Sequence, residues 1–367
     1  MRVLIASSAT GGHIYPALAV AEEIKRRDPE AEIMFVGAGW EIGRDIVQQA
    51  GYRQEFIEVS GIDRKNPLKA AAALAGLARA SREIRGLLKR FRPDVCFGTG
   101  GHVAGPVIRE ARKAGVRTMI QEQNVIPGMA NKLAEKYADL VFAGFPDTAG
   151  HFKDRGKVII SGNPVRAAFS EASARRGELR EKYGVPEGAC CVLVFGGSQG
   201  ADAINDAALV AAQRLPSLGG FHIVWITGRQ LFEGMMERLT AVFPEMPEGL
   251  TVMGYSDEIF ELYAAADLIV SRAGALTISE IAHSGRASIL VPSPNVTNNH
   301  QYYNARPPAD AGAAVLMPEE EISGGGLAKE IERLAGDPGA LSEMGRKALA
   351  MARPDAVKVI VDEIFGS

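Results

Sequence analysis

The chain has 367 residues, 47% of them hydrophobic, more than a single core commonly organises, so two domains of ordinary size are expected. A formal net charge of −3 offers no global basic field, which argues against a nucleic-acid partner and requires any anion site to be local. Cys96, Cys190 and Cys191 lack metal-ligand spacing, and neither a signal-peptide pattern nor an 18-residue apolar run appears, so a reducing, cytosolic setting without a membrane span is expected.

Short β-branched runs alternate with helical periodicities along the chain. "RVLIA", "EIMFV", "VCF", "TMI", "LVFA" and "VII" mark strands up to residue 160, separated by stretches such as "PALAVAEEIKRR" and "GMANKLAEKYA" with apolar residues three to four apart. This is the pattern of a parallel α/β sheet. It restarts at "CCVLVF" and continues through "FHIVWIT", "LTVM", "LIVS", "ASILV" and "AAVLM". The charged, proline-bounded segment "NPVRAAFSEASARRGELREKYGVPEGA" between the two series reads as an interdomain connection. The expected fold is therefore two Rossmann-like, doubly wound α/β domains, residues 1–164 and 165–349, with a terminal helix at about 350–367 returning to the first.

Three glycine-rich turns, each after a strand and before a helix, stand where parallel sheets gather ligands: "ATGGH" (Ala9–His13), "GTGGH" (Gly98–His102) and "GGSQG" (Gly196–Gly200). Glycine there permits positive φ and close backbone approach, and the helix dipole favours phosphate. The alternative is that tight strand-to-helix turns simply need glycine. A dinucleotide site is excluded because the first turn lacks G-x-G-x-x-G and the second strand closes on Gly37 rather than an acid. No P-loop signature is present either, nor a D-x-D pair for a metal-bridged diphosphate. A nucleotide-sugar enzyme remains, its departing diphosphate held by backbone N–H groups and a helix terminus, with no metal and no cofactor expected.

"TGGHIYPALAVA", "GTGGHVAGP", "QEQNVIPGMANK", "GNPVR", "FGGSQGADAIN", "SRAGALTISEIA" and "HQYYNA" occur in the order and at about the spacing of the MurG family of glycosyltransferases (family 28). The resemblance runs from about residue 2 to residue 316. It implies a GT-B fold, with the two domains facing across a cleft. It also implies metal-independent, inverting transfer of GlcNAc from UDP-GlcNAc to the C4 hydroxyl of the MurNAc of lipid I (undecaprenyl-diphosphate-MurNAc-pentapeptide), giving lipid II and UDP. Peptidoglycan synthesis and contact with cell-wall synthesis proteins would follow.

An inverting displacement needs a base for the acceptor hydroxyl and stabilisation for the departing UDP. His13 opens the helix "PALAVAEEIKRR", where the dipole disfavours imidazolium, and is the first base candidate; a capping or phosphate-binding role is its alternative. Glu122 is the second candidate, and Asn124 resembles a family acceptor or sugar contact; both read equally well as turn and cap residues. Thr10, Gly11, Gly12, Gly100, Gly101 and His102 would frame the acceptor diphosphate. The resemblance assigns Ser198, Gln199, Gly200 and Arg166 to the UDP diphosphate and Tyr255 to the uracil pocket. Glu280 falls to the ribose hydroxyls, and His300 with Gln301 to GlcNAc. Departures from the family are Ala9, where glycine is usual, and Pro307 and Pro308, which predict that the helix from His300 stops near Arg306.

From Arg64 to Arg92 the chain carries nine basic residues against one acid, Glu83, with Leu68, Leu74, Leu77, Ile84, Leu87, Leu88 and Phe91 as an apolar component. That composition suits a helix resting on anionic lipid through Leu74, Leu77, Arg79, Arg82, Lys89 and Arg90. The alternative is an amphipathic helix packing its leucines on the sheet. A lipid-linked acceptor would place the protein peripherally at the cytoplasmic face of the bacterial plasma membrane, against inner-leaflet anionic lipid. A transferase to diacylglycerol, a UDP-GlcNAc 2-epimerase and a non-enzymatic nucleotide-sugar sensor remain as alternatives.

Overall fold

In a computed structural model of the chain, the described residues are 1–8, 10–37, 41–59, 67–215 and 218–366, with the backbone alone described for 41–44 and 67–75. The chain folds as two compact units, Met1–Arg166 with Arg353–Ser367, and Ala167–Ala352.

In the first unit the elements are β1 (Arg2–Ser7), α1 (Gly11–Arg27), β2 (Glu32–Gly37), α2 (Glu41–Gln49), β3 (Arg53–Phe56), α3 (Pro67–Phe91), β4 (Val95–Gly100), α4 (Gly101–Lys113), β5 (Arg117–Glu122), α5 (Met129–Ala134), β6 (Leu140–Ala143) and β7 (Val158–Ile160). All strands pair in parallel, in the order β3-β2-β1-β4-β5-β6-β7. The period-2 alternation of β1 sorts its side chains: Leu4 and Ala6 join α3 and α4 on one face, while Val3 and Ile5 join α1 on the other.

The second unit contains α6 (Ala168–Ser173), α7 (Arg176–Lys182), β8 (Cys190–Phe195), α8 (Asp202–Arg214), β9 (Phe221–Ile226), α9 (Phe232–Val242), β10 (Leu250–Met253), α10 (Ile259–Ala265), β11 (Leu268–Arg272), α11 (Ala275–Ser284), β12 (Ala287–Val291), α12 (His300–Asp310), β13 (Ala314–Leu316), α13 (Glu319–Ile322), α14 (Gly326–Ala335) and α15 (Pro338–Met351). Its parallel sheet runs β10-β9-β8-β11-β12-β13. The last helix, α16 (Ala356–Phe365), belongs to the first unit, where Ile360, Val361 and Ile364 share the core beneath α1. Arg27 reaches Asp362 at 2.5 Å, and Arg117 donates to the Glu363 carbonyl.

Two sequence expectations are corrected. Ile84, Leu87, Leu88 and Phe91 of α3 are buried in the core, so this half of the helix spends its apolar residues on the sheet and α4 rather than on lipid. And α12 runs through Pro307 and Pro308 to Asp310. The amides of Ala311 and Ala313 bond to the carbonyls of Pro307 and Pro308, which closes the last turn despite the missing proline N–H groups.

At the opposite end of the second sheet from its glycine loop, Asp267 gathers three donors: the Cys191 amide (2.8 Å), Arg180 (2.8 Å) and Arg176 (2.5 Å). The same arginines bond the last carbonyls of α10, at Ala264, Ala265 and Ala266. Burial pushes the Asp267 carboxyl up, but the Cys191 amide and the two guanidinium groups outweigh it and hold it below its ordinary value. A lowered carboxyl contributes stability that is complete above the unfolded value of 3.8 and is lost as pH falls through the folded one. Asp267→Asn should therefore cost about 2–3 kcal/mol at pH 7, read from urea unfolding, and flatten the fall in stability below about pH 4.

Candidate functional site

In the first sheet the strand order reverses between β1 and β4, and in the second between β8 and β11. Crevices open at the carboxyl ends of strands at such switch points. The glycine loops that follow β1, β4 and β8 stand at these ends.

The duplicated Gly-Gly-His loops of the first unit interlock. The β1–β4 register shifts between Ala6 and Ser7, so that Ser7 stands opposite Gly100. His13, in the first turn of α1, crosses to the second loop, and its Nδ1 lies 2.8 Å from the Thr99 carbonyl oxygen. Because a carbonyl only accepts, Nδ1 carries the proton and Nε2 is the basic nitrogen of the ring. Gly100, at φ 109°, makes room for this ring, since a Cβ there would stand 2.8 Å from His13 Cε1. Gly101, at φ 81°, has Ser8 where its Cβ would be. These glycines are required by the approach of one loop to the other, whereas Gly12 faces open space. Thr10 precedes α1, and its carbonyl accepts from the amides of His13 and Ile14. Gly11 and Gly12 supply first-turn amides that have no acceptor within the helix. His102 is exposed in the first turn of α4.

Glu122, the second base candidate, is engaged in a local hydrogen-bond network. It ends β5 and is 1% exposed. Its Oε1 accepts from the backbone amide (2.9 Å) and Nδ2 (3.0 Å) of Asn124; Oε2 accepts from the Gly128 amide (3.0 Å) and Asn131 Nδ2 (2.9 Å). Four donors thus meet its two oxygens. The carboxylate folds the loop into α5 and orients the half-exposed Asn124. Sequence reading also missed Gln121, Gln123, Asn131 and Asn163, all buried behind His13. Side-chain amides carry no sequence mark of burial.

Arg166 falls within the first unit, its guanidinium 5.0 Å from the centre of the Tyr15 ring on α1.

In the second unit, backbone lies on backbone. A Cβ on Gly200 (φ 84°) would fall on the Thr227 carbonyl, and one on Gly228 (φ 95°) on the Gly200 amide and the Gln199 carbonyl. Asn205 of α8 clamps the arrangement, donating to the Thr227 carbonyl (2.9 Å) and accepting from Trp225 Nε1 (3.0 Å). Ser198 and Gln199 are left exposed at the crest of the loop. Arg229 stands 3.9 Å from the Tyr255 ring centre and 3.8 Å from Asp257, a cation beside the expected uracil residue that sequence reading did not single out. Glu280 accepts from the hydroxyl of buried Tyr263 (3.3 Å). Gln301 Oε1 accepts from the Ser293 amide (2.9 Å), and His300 Nδ1 lies 2.9 Å from the Thr297 carbonyl.

Replacing Glu122 by Gln would put a donor among four donors. The variant should lose about 2 kcal/mol of stability, measured by its urea midpoint.

Family models match at both ends of the chain: the glycosyltransferase family 28 N-terminal domain at residues 3–143 and the C-terminal domain at residues 191–360. A protein of Desulforudis audaxviator is 39% identical over 99% of this chain and 98% of its own length. One of Symbiobacterium thermophilum is 40% identical over 100% and 96%. Both are named "UDP-N-acetylglucosamine--N-acetylmuramyl-(pentapeptide) pyrophosphoryl-undecaprenol N-acetylglucosamine transferase". The crystal structure of Acinetobacter baumannii MurG superposes with a TM-score of 0.78 at 27% identity, over 100% of this chain and 99% of that one. A UDP-GlcNAc 2-epimerase of Neisseria meningitidis reaches a TM-score of 0.68 over 100% of both chains, but at 13% identity it shares the fold alone. With both domains matched and full-length relatives so similar, the chain belongs to glycosyltransferase family 28, among the MurG transferases.

Proposed function

We propose that the protein transfers GlcNAc from UDP-GlcNAc to the C4 hydroxyl of MurNAc in lipid I, with inversion, releasing UDP and giving lipid II for peptidoglycan. The acceptor oxygen forms the new bond to C1 of GlcNAc as the C1–O bond to the diphosphate breaks, and the acceptor proton passes to His13 Nε2. The observation that carries this reading is the His13 Nδ1–Thr99 bond, which presents a base of defined tautomer at the switch point of the first sheet. Thr10, Gly11, Gly12, Gly100, Gly101 and His102 frame the acceptor diphosphate, with α1's first-turn amides toward it. On the second unit, Ser198, Gln199 and Gly200 take the UDP diphosphate at the start of α8, Tyr255 with Arg229 the uracil, Glu280 the ribose, and His300 and Gln301 the sugar. Arg166, the last residue of the first unit, is assigned to the UDP diphosphate as well.

We assign the membrane contact to the outer face of α3, α4 and α5, which pack on one side of the first sheet. Among the described residues no helix is long and apolar enough to cross a membrane. Arg79, Arg82, Lys89, Arg90, Lys132 and Lys136 are exposed on these helices and their continuation, although Arg79 also pairs with Glu83 and Arg90 with Glu55. Leu77 is half-buried, while the side chain of Leu74, like residues 64–66, lies outside the described part of the structure. Met129 and Leu133, four residues apart on α5, are 61% and 60% exposed and provide apolar contact beside the lysines. This face fits peripheral attachment to anionic lipid at the cytoplasmic surface of the bacterial plasma membrane.

UDP release should require a soluble lipid I analogue, survive EDTA and yield a disaccharide product; release without acceptor would point to an epimerase-like activity instead. His13→Ala should lower kcat about 100-fold or more, with the KM for UDP-GlcNAc little changed. Full turnover at saturating substrates would remove His13 as base. The protein should sediment with anionic vesicles at low salt and be released as salt rises, and Met129→Asp with Leu133→Asp should weaken that sedimentation.

A further inference from the structure

We infer that the buried carboxamides of Gln123, Gln121 and Asn163 form a directional relay that positions His13, with Gln123 the residue nearest to it. The inference rests on the reading of His13 as base. Thr99, whose carbonyl takes the His13 proton donor, accepts a second bond from Gln123 Nε2 at 2.7 Å. The same Nε2 donates to Gln121 Oε1, Gln121 Nε2 donates to Asn163 Oδ1 at 2.8 Å, and Asn163 Nδ2 donates to the Gln123 carbonyl at 3.1 Å. Thr99, Gln121, Gln123 and Asn163 are 0%, 0%, 2% and 1% exposed.

The ends of the relay fix its direction. Backbone carbonyls of Gln123 and Thr99 can only accept, so Asn163 must turn its NH2 to the first and Gln123 its NH2 to the second. Asn163 Oδ1 then accepts from Gln121, whose own oxygen accepts from Gln123. No carboxamide can flip without setting like against like. Burying three carboxamides costs more than burying apolar side chains of similar size, so packing alone gives no reason for them. Their product is a Thr99 carbonyl held in one orientation, which fixes both the tautomer of His13 and the direction of Nε2. Gly144 guards the far end, because any Cβ there would fall on the Asn163 carboxamide.

The test is a double-mutant cycle on the full-length protein with the soluble lipid I analogue. Gln123→Leu should lower kcat about tenfold and leave both KM values within about twofold, since orientation and not binding is lost. In a His13→Ala background the same substitution should cost nothing more. A loss that multiplies with that of His13→Ala would show Gln123 acting independently of the imidazole and overturn the inference. Imidazole 15N shifts provide a readout apart from turnover: His13 should be protonated at Nδ1 in the unaltered protein and show mixed tautomers in Gln123→Leu. An unchanged tautomer in the variant would also overturn the inference. If His13→Ala keeps its turnover while the tautomer still responds, the base assignment fails and the relay stands. Gln121→Leu, one link further from the ring, gives the same comparisons should Gln123→Leu fail to fold.

Discussion

A single hydrogen bond, from the His13 ring to the carbonyl of Thr99, organises the first unit's site. It joins positions 86 residues apart and is possible only because β1 and β4 are neighbours at the reversal of the sheet. Around it the other local choices fall into place. The slip in register opposite Gly100, the left-handed glycines at 100 and 101, and the carboxamides behind Thr99 each give the imidazole room or hold its partner still. A histidine on a lone loop would keep the freedom to choose its tautomer. Clamped to a second loop, it has one basic nitrogen.

The second unit solves a related problem by other means. Glycines let the main chains of the loop after β8 and the loop after β9 touch, with Asn205 and Trp225 holding the contact. Rigid amides that approach closely suit a diphosphate, whose charge can be met by N–H groups that need not reorganise. Glu122 shows the same economy in the first unit. Its carboxylate holds the loop that carries Asn124 in place through side-chain and backbone donors.

Much of the architecture was legible because buried parallel strands announce themselves as unbroken apolar runs, as in "VLIA" and "CCVLVF". β3 was missed because "RQEF" is a polar edge strand with no such signature. The prolines of α12 looked like an ending, yet they sit where the final turn closes through carbonyls that proline still offers. Ile84, Leu87, Leu88 and Phe91 of α3 resembled a membrane face because a helical period shows that one side is apolar without saying what covers it. At the site, the glycine loops and His13 stood out by type and spacing. Thr99, Gln121, Gln123 and Asn163 did not, since their roles depend on burial and on partners set by strand order.

The placement of α16 bears on how the chain becomes a working protein. The core beneath α1 is completed by Ile360, Val361 and Ile364, which follow the whole second unit in sequence, while His13 stands on the first turn of α1. The whole second unit is thus inserted within the first, and can finish folding before the first is sealed. During synthesis the first unit is started before the second and is closed only after it. The helix supporting His13 keeps an uncovered apolar stripe until α16 docks, so disrupting Ile360, Val361 and Ile364 would leave a sound second unit joined to an unfinished first.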